Sequence, residues 1–420
     1  MLDEIASHPG DPFAKLAREY VDLVLAVGEH DDGYVDAYYG PESWRERVRA
    51  EPAALSEIAR RARDLRQRIA DTDRPTTGED AEMWALRAAF LDAQSSSIAA
   101  YAEILAGHPL AFDDESRALY DTEAPHYDPD HYRNLIAQLE PLLPGDGDIE
   151  TRYHAFQAEF VIPRDRLASV FEAAIAASRQ RTLEHVTLPA NEDFRLEYVT
   201  DKVWSGYNLF EGRAQSLIQI NTDLPIYIDR AVDLAAHEGY PGHHVYNALL
   251  ESRLARARGW VEFCVYPLFS PQSVIAEGTA NYGIEVAFPW PDRIAFEAEE
   301  LFPRAGLDPS RAATYYDVMR LVQQLNYANN DVAREYLAGT IDRDEAIARL
   351  RASLLYEPAR AAQRLGFIEA HRAYVLTYNW GQDLVKRYVE QRVGRHATDR
   401  ERWDTFVELL TSPRRPQQLM

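Results

Sequence analysis

Three histidines and a glutamate fall within eight residues, His237-Glu238-Gly239-Tyr240-Pro241-Gly242-His243-His244, in a chain that holds only 12 histidines. In an H-E-x-x-H helix, two histidines four apart hold a metal ion from one face and the glutamate between them works on its bound water. Here the fourth residue after His237 is Pro241, which cannot bind a metal. Pro241 also lacks the N–H that would reach the carbonyl of His237, and its ring crowds that carbonyl, so a helix must kink, bulge or end there. On a straight helix His237 and His243 would lie about 9 Å apart along the axis and on different faces, with His244 further along still. Nitrogens that each sit about 2.0–2.1 Å from one zinc cannot be so far apart. Either histidine therefore joins His237 only where Pro241 and Gly242 fold the chain back. A metal site is the expectation.

A third ligand has to come from another element. The segment 273–288, SVIAEGTANYGIEVAF, reads as a helix on which Glu277, Asn281 and Glu285 share a face at i, i+4 and i+8. Glu277 sits after Val274, Ile275 and Ala276 and before Gly278, a small residue that admits a close neighbour. Two histidines and a glutamate form the donor set of a zinc hydrolase, with the fourth position left open for water.

The elements that must position these groups are mostly helical. Apolar residues return at three and four in DPFAKLAREYVDLVLAV, MWALRAAFLDAQSSSIAAYAEILA, RDRLASVFEAAIAASRQRTLEHV and DEAIARLRASLL. Breakers separate them at 71–80, 143–150 and 301–310. Residues 194–221 depart from this pattern: FRLEYVT, VWSGYNLFEG and SLIQIN are rich in β-branched and aromatic residues and read as a small antiparallel sheet. Its last strand, 216–221, leads straight into the helix of His237, for which Asp229 is the expected N-cap. In thermolysin-like proteases a short sheet precedes the metal helix and its edge strand pairs with an extended substrate, which makes Asn221 a candidate substrate contact. The fold class expected is mainly α, a large helical bundle-like peptidase fold with the small sheet before the metal helix. It divides into a helical region (1–190), the sheet (191–225) and a helical metal-site region (226–420) acting as one unit.

Composition narrows the function. A formal charge of −23, from 68 acidic against 45 basic residues, repels phosphate backbones and anionic lipid, so neither nucleic acid nor a membrane is an expected partner. No apolar run reaches the roughly 18–20 residues of a membrane helix, and the start, MLDEIASHPGDPF, is acidic where a signal peptide is basic, so the expected location is cytoplasmic. The single cysteine, Cys264, lies in the apolar run VEFCVY and reads as a buried thiol. The pair Asp146 and Asp148 lacks the further ligands of a calcium loop. A di-iron bundle wants two E-x-x-H pairs, and the clear one here, Glu123 to His126, is broken by Pro125.

HEGYPGHH resembles the HE-x-x-P-G-H-H signature of the bacterial domain-of-unknown-function family 885. That family's second signature, E-G-W-A-x-Y, resembles Glu277-Gly278-Thr279-Ala280-Asn281-Tyr282, with threonine in place of tryptophan. A third element, a glutamine four residues before a tyrosine, looks like Gln323 to Tyr327, preceded here by Leu321 and Val322 where Pro-Gly is usual. The family is similar to the helical gluzincin peptidases, including carboxypeptidase Taq and the oligopeptidases. The resemblance implies His237 as first metal ligand, Glu238 as general base and Glu277 as third ligand. For the second ligand it favours His243, with His244 as the alternative. The implied activity is zinc-dependent hydrolysis of peptide bonds in small peptides. Tyr327 is the first candidate to stabilise the oxyanion, with Tyr282, Tyr315, Tyr316 and Tyr378 behind it, because a tyrosine donates without carrying charge. Tyr282 and Arg320 are further candidates for substrate contact, Arg320 through a substrate carboxylate. The rival readings are a non-catalytic peptide-binding protein and a zinc hydrolase of another amide or ester.

Overall fold

The computed structural model describes His8 and residues 10–78, 80–394 and 396–420; the acidic start of the chain, up to Ser7, lies outside the described residues. The fold is mainly α. Helices form where the periodicity places them: Ala14–Gly28, Ala81–Leu105, Leu167–Leu183, Pro271–Ala287 and Arg343–Leu354. One hydrophobic core runs through them, from Phe13 to Leu419. No described helix is long and apolar enough to cross a membrane.

The helices Pro271–Ala287 and Leu376–Val393 pack against each other with their backbones nearly in contact. A Cβ on Gly278 would lie 2.4 Å from the carbonyl oxygen of Gly381, and one on Gly381 would lie 2.8 Å from that of Val274. Gly278 thus admits a helix rather than a ligand. The close crossing brings Tyr374 and Tyr378 up to Glu277.

The three-stranded sheet consists of Asp193–Val199, Gly206–Gly212 and Gln215–Asn221, and it is mixed rather than antiparallel. Gln215–Asn221 is its centre, antiparallel to Gly206–Gly212 and parallel to Asp193–Val199. The hairpin explains half of this. Arg213 and Ala214 both take positive φ in a two-residue turn, and the buried Glu251 carboxylate accepts from both of their N–H groups. The first strand then has only the far edge available, and residues 200–205 are long enough to cross two strand spacings of about 4.8 Å. Asn221 fixes that crossing: its side-chain amide donates to the carbonyls of Lys202 and Trp204, each at 2.9 Å. The last strand is therefore central, and the edge strand lying beside the segment of His237 and Glu238 is Gly206–Gly212.

A second sheet was not legible in the sequence. Val35–Tyr38 pairs antiparallel with Val265–Pro267 and carries Asp36 to the site from about 200 residues away in sequence. Nearby, Arg87 is fully buried, with Nε and Nη2 on Glu262 and Nη1 2.9 Å from both oxygens of Asp11. Arg87→Met strands two buried carboxylates, and about 3–5 kcal/mol of stability should be lost, read as a drop in denaturation midpoint at unchanged m-value. Cys264 is fully buried as expected, and burial pushes its thiol pKa up.

Candidate metal centre

The helix that carries the motif starts differently from expectation. Asp229 is not an N-cap but lies inside the first turn of Asp229–Leu234, buried, where it accepts the hydroxyl of Tyr315 at 2.7 Å. The α-helix ends at Leu234 and is followed by a π-helical turn, Ala235–Gly239, in which the N–H of Tyr240 reaches back to the carbonyl of Ala235. The Tyr240–Pro241 peptide bond is cis. Gly242 then folds under the helix end, donating to the carbonyl of Ala236 at 2.9 Å, and a new helix begins at His243. Only glycine fits this turn, because a Cβ at Gly242 would stand 1.8 Å from the carbonyl oxygen of His237.

This turn brings two histidines that are six residues apart to one point. His237 Nε2 and His243 Nε2 lie 3.1 Å from each other, and they lie 3.2 and 3.6 Å from Oε2 of Glu277. Oε2 is buried yet is a properly aligned acceptor for neither nitrogen, so it stands without a hydrogen-bond partner. Two half-buried nitrogens and one buried oxygen thus converge where at most some of their mutual contacts can be hydrogen bonds. A tetrahedral ion with arms of about 2.1 Å has edges of about 3.4 Å, which matches these separations. His237, His243 and Glu277 form a group able to hold a metal ion.

The surrounding contacts orient these three side chains. The Asn281 amide is fixed by donation from Nδ2 to the carbonyl of Tyr378, so its Oδ1 accepts from Nδ1–H of His237 and leaves Nε2 with a free lone pair. Tyr374 donates its hydroxyl to Oε1 of Glu277 at 2.8 Å. Burial disfavours the charge on Glu277, but the two imidazoles outweigh it and hold the carboxyl well below the usual range. Burial likewise works against the charge on His243, yet Glu277, Glu238 and Asp36 raise its pKa to about 9. Glu238 is buried with no hydrogen bond to its carboxylate among the described residues, and burial pushes its pKa up despite the neighbouring imidazoles. It lies against the edge strand: a Cβ on Gly206 would be 2.7 Å from its Oε1, and Asn208 Nδ2 donates to its backbone carbonyl.

His244 points the other way. It is fully buried, its Nε2–H donates to Glu192 at 3.1 Å, and its Nδ1 accepts from the Ser216 hydroxyl at 2.9 Å. Glu192 also accepts from Tyr240 and pairs with Arg179. This network ties the residue after His243 to the central strand and holds the turn in place. His243→Ala is expected to abolish stoichiometric zinc binding, whereas His244→Gln should keep about one zinc per chain and lower the melting temperature. Elemental mass spectrometry beside thermal unfolding separates the two.

Other sequence candidates lie elsewhere. Tyr327 spends its hydroxyl on Asp383, and its ring packs edge-on to Tyr127. Tyr282 is buried with its ring against Phe406. Arg320 is exposed, over the ring of Trp290. Asn221 is occupied with the crossing loop. Of the tyrosines considered, Tyr378 is the one beside the site, close enough to Glu277, Glu238 and Asp36 for their charges to hold its proton on, after burial as the main cause. Asp36 was missed because nothing local marks it. It accepts from Tyr207 at 3.0 Å, and burial raises its pKa to about 6. A second grouping, Asp113, Glu123 and His126, lies towards the surface, where Arg334 engages Asp113 and Arg117 engages Glu123.

No family model matches the chain, and no curated protein matches it. Among solved structures it is similar to the putative lipoprotein from Colwellia psychrerythraea, with a TM-score of 0.51 and 15% identity over 90% of this chain and 68% of that one. It is also similar to a putative lipoprotein of unknown function from Shewanella oneidensis, with a TM-score of 0.46 and 12% identity over 90% of this chain and 75% of that one. The first likeness shows a shared fold, and at this identity it shows the fold alone.

Proposed function

We propose that the protein is a zinc-dependent peptidase of the kind that the resemblance to family 885 implies. The observation that carries this reading is the convergence of His237, His243 and Glu277 on one point, with the buried carboxylate of Glu238 beside it, unbonded among the described residues. His237, His243 and Glu277 would hold the ion, and their nitrogen and carboxylate donors suit zinc. When bound, zinc at such a site supplies Lewis-acid polarisation of a carbonyl and a water of lowered pKa. The remaining work falls to the chain. Glu238, its pKa raised by burial, takes the proton from the attacking water and passes it to the leaving amine. Tyr378, neutral at any physiological pH, donates its hydroxyl to the developing oxyanion, the role the sequence first suggested for Tyr327. Asn281 keeps the His237 tautomer that presents a lone pair, and Tyr374 steadies Glu277.

The proposed substrates are small peptides and the proposed location is the cytoplasm, where the lone Cys264 thiol stays reduced. The test is to purify the protein without chelators or a metal-binding tag, measure bound zinc, and screen a peptide library for cleavage before and after chelation. About one zinc per chain and chelator-sensitive cleavage are the expected results. Zinc binding without cleavage of any amide would leave a peptide-binding protein, and absence of zinc after loading would remove the metal centre.

A further inference from the structure

In a chain with a net charge of −23, two arginines beside the metal centre have no counter-ion among the described residues. Arg360 and Arg364 lie one turn apart on the helix Pro358–His371, both half-buried, and among the described residues neither has a carboxylate within ion-pair reach. Arg360 Nη1 is 2.6 Å from Oε1 of Gln363 and 3.3 Å from the hydroxyl of Ser205. Arg364 donates Nε–H to Oδ1 of Asn329 at 2.8 Å, and its guanidinium stands 5.9 Å from the Tyr378 ring centroid. These neutral partners use only part of the donor capacity of two guanidiniums.

Two chains of contact place this pair at the site. Ser205 precedes Gly206, the residue against which the Glu238 carboxylate lies. Tyr378, beneath Arg364, passes its carbonyl to Asn281 and so to His237. Arg230 adds a third positive charge from the metal helix, although it pairs with Asp233 at 3.1 Å. Burial first, and then repulsion from Arg364 and Arg230, lowers the pKa of Arg360. Gathering like charges at a half-buried wall is unfavourable unless an anion completes it, and the planar guanidinium fork matches a carboxylate.

We propose that Arg360 and Arg364 form a carboxylate-binding subsite beside the metal centre, so that the substrate is a peptide presenting a carboxylate close to the bond that is cleaved. The substrate class rests on the peptidase reading, whereas the subsite itself is tested by binding alone. The carboxylate can be a free C-terminus or an acidic side chain, and three probes distinguish these: N-acetyl-trialanine, its C-terminal amide, and the amide with glutamate in the last position. They are titrated calorimetrically into the full-length, zinc-loaded protein carrying Glu238→Gln, which prevents turnover. The expected result is that amidation weakens binding by about tenfold to a hundredfold, as for the loss of a charge-assisted contact. Adding Arg360→Met with Arg364→Met should erase that difference, while Arg360→Lys should retain part of it. Recovery of affinity with the glutamate peptide assigns the site to side chains, and no recovery assigns it to the C-terminus. Equal binding of the three peptides, or no binding of any, overturns the proposal. Carboxylate-dependent binding without turnover by the unsubstituted protein would instead remove the peptidase reading and leave the subsite standing.

Discussion

Glu238→Gln is expected to retain about one zinc per chain while cutting peptide turnover by about two to four orders of magnitude, the usual contribution of a positioned general base. Glu238 is not in the group whose ligand atoms converge, so its loss removes no donor from the ion. Glutamine keeps the volume against Gly206 and Leu234 but cannot take a proton. Stability should move in the opposite direction to activity. Because burial raises the folded pKa of Glu238 above its unfolded value, the folded state holds a proton that the unfolded chain gives up, and stability falls as pH rises through that window. A neutral amide removes this cost, so the metal-free variant should melt no lower than the metal-free parent at pH 7. The contrasting substitution is Glu277→Ala. It removes a ligand and leaves the Tyr374 hydroxyl without its acceptor, so zinc content itself should fall towards zero. If Glu238→Gln lost its zinc as well, the division into ligand and base would be wrong.

Gly242→Ala should destroy the centre without touching any ligand. A methyl group there would stand 1.8 Å from the carbonyl oxygen of His237 and 2.5 Å from that of Ala236. Both are backbone atoms of the π-helical turn and cannot swing aside as a side-chain tip would. The turn has to open, and with it the 3.1 Å approach of His243 to His237. Zinc content well below one per chain is expected, together with a loss of about 1–3 kcal/mol of stability from overpacking. Gly366→Ala is the control: no atom lies within 4 Å of its added Cβ, and in a helix interior it should be neutral or stabilising by about 0.5–1 kcal/mol. Equal zinc content in Gly242→Ala and the parent would refute the account of the folded-back turn.

The elements whose cause is local were legible in the sequence. Amphipathic periodicity placed the long helices, since each buries a stripe set by its own spacing. The three strands before the metal helix announced themselves by composition, and the chemistry of Pro241 and Gly242 required a fold-back if the histidines were to meet. The sequence by itself thus determined a mainly helical protein with a histidine-rich turn suited to a metal.

Tertiary structure decided the rest. The family resemblance favours His243 over His244, but the residues themselves give no physical reason for the choice. The choice lies in Glu192 and Ser216, which claim His244 with one hydrogen bond to each ring nitrogen. The mixed order of the sheet depends on which edge remained open and on Asn221 holding the crossing loop. Tyr378 and not Tyr327 stands at the site because the Gly278–Gly381 crossing seats the helix Leu376–Val393 against Glu277, whereas the hydroxyl of Tyr327 is taken by Asp383. Asp36 and Arg360 reach the centre from about 200 residues before and about 120 residues after the motif, and such encounters leave no local pattern. Which charges lack a partner is a property of the packed chain alone, because pairing at a few ångströms is set by the fold and not by spacing along the backbone.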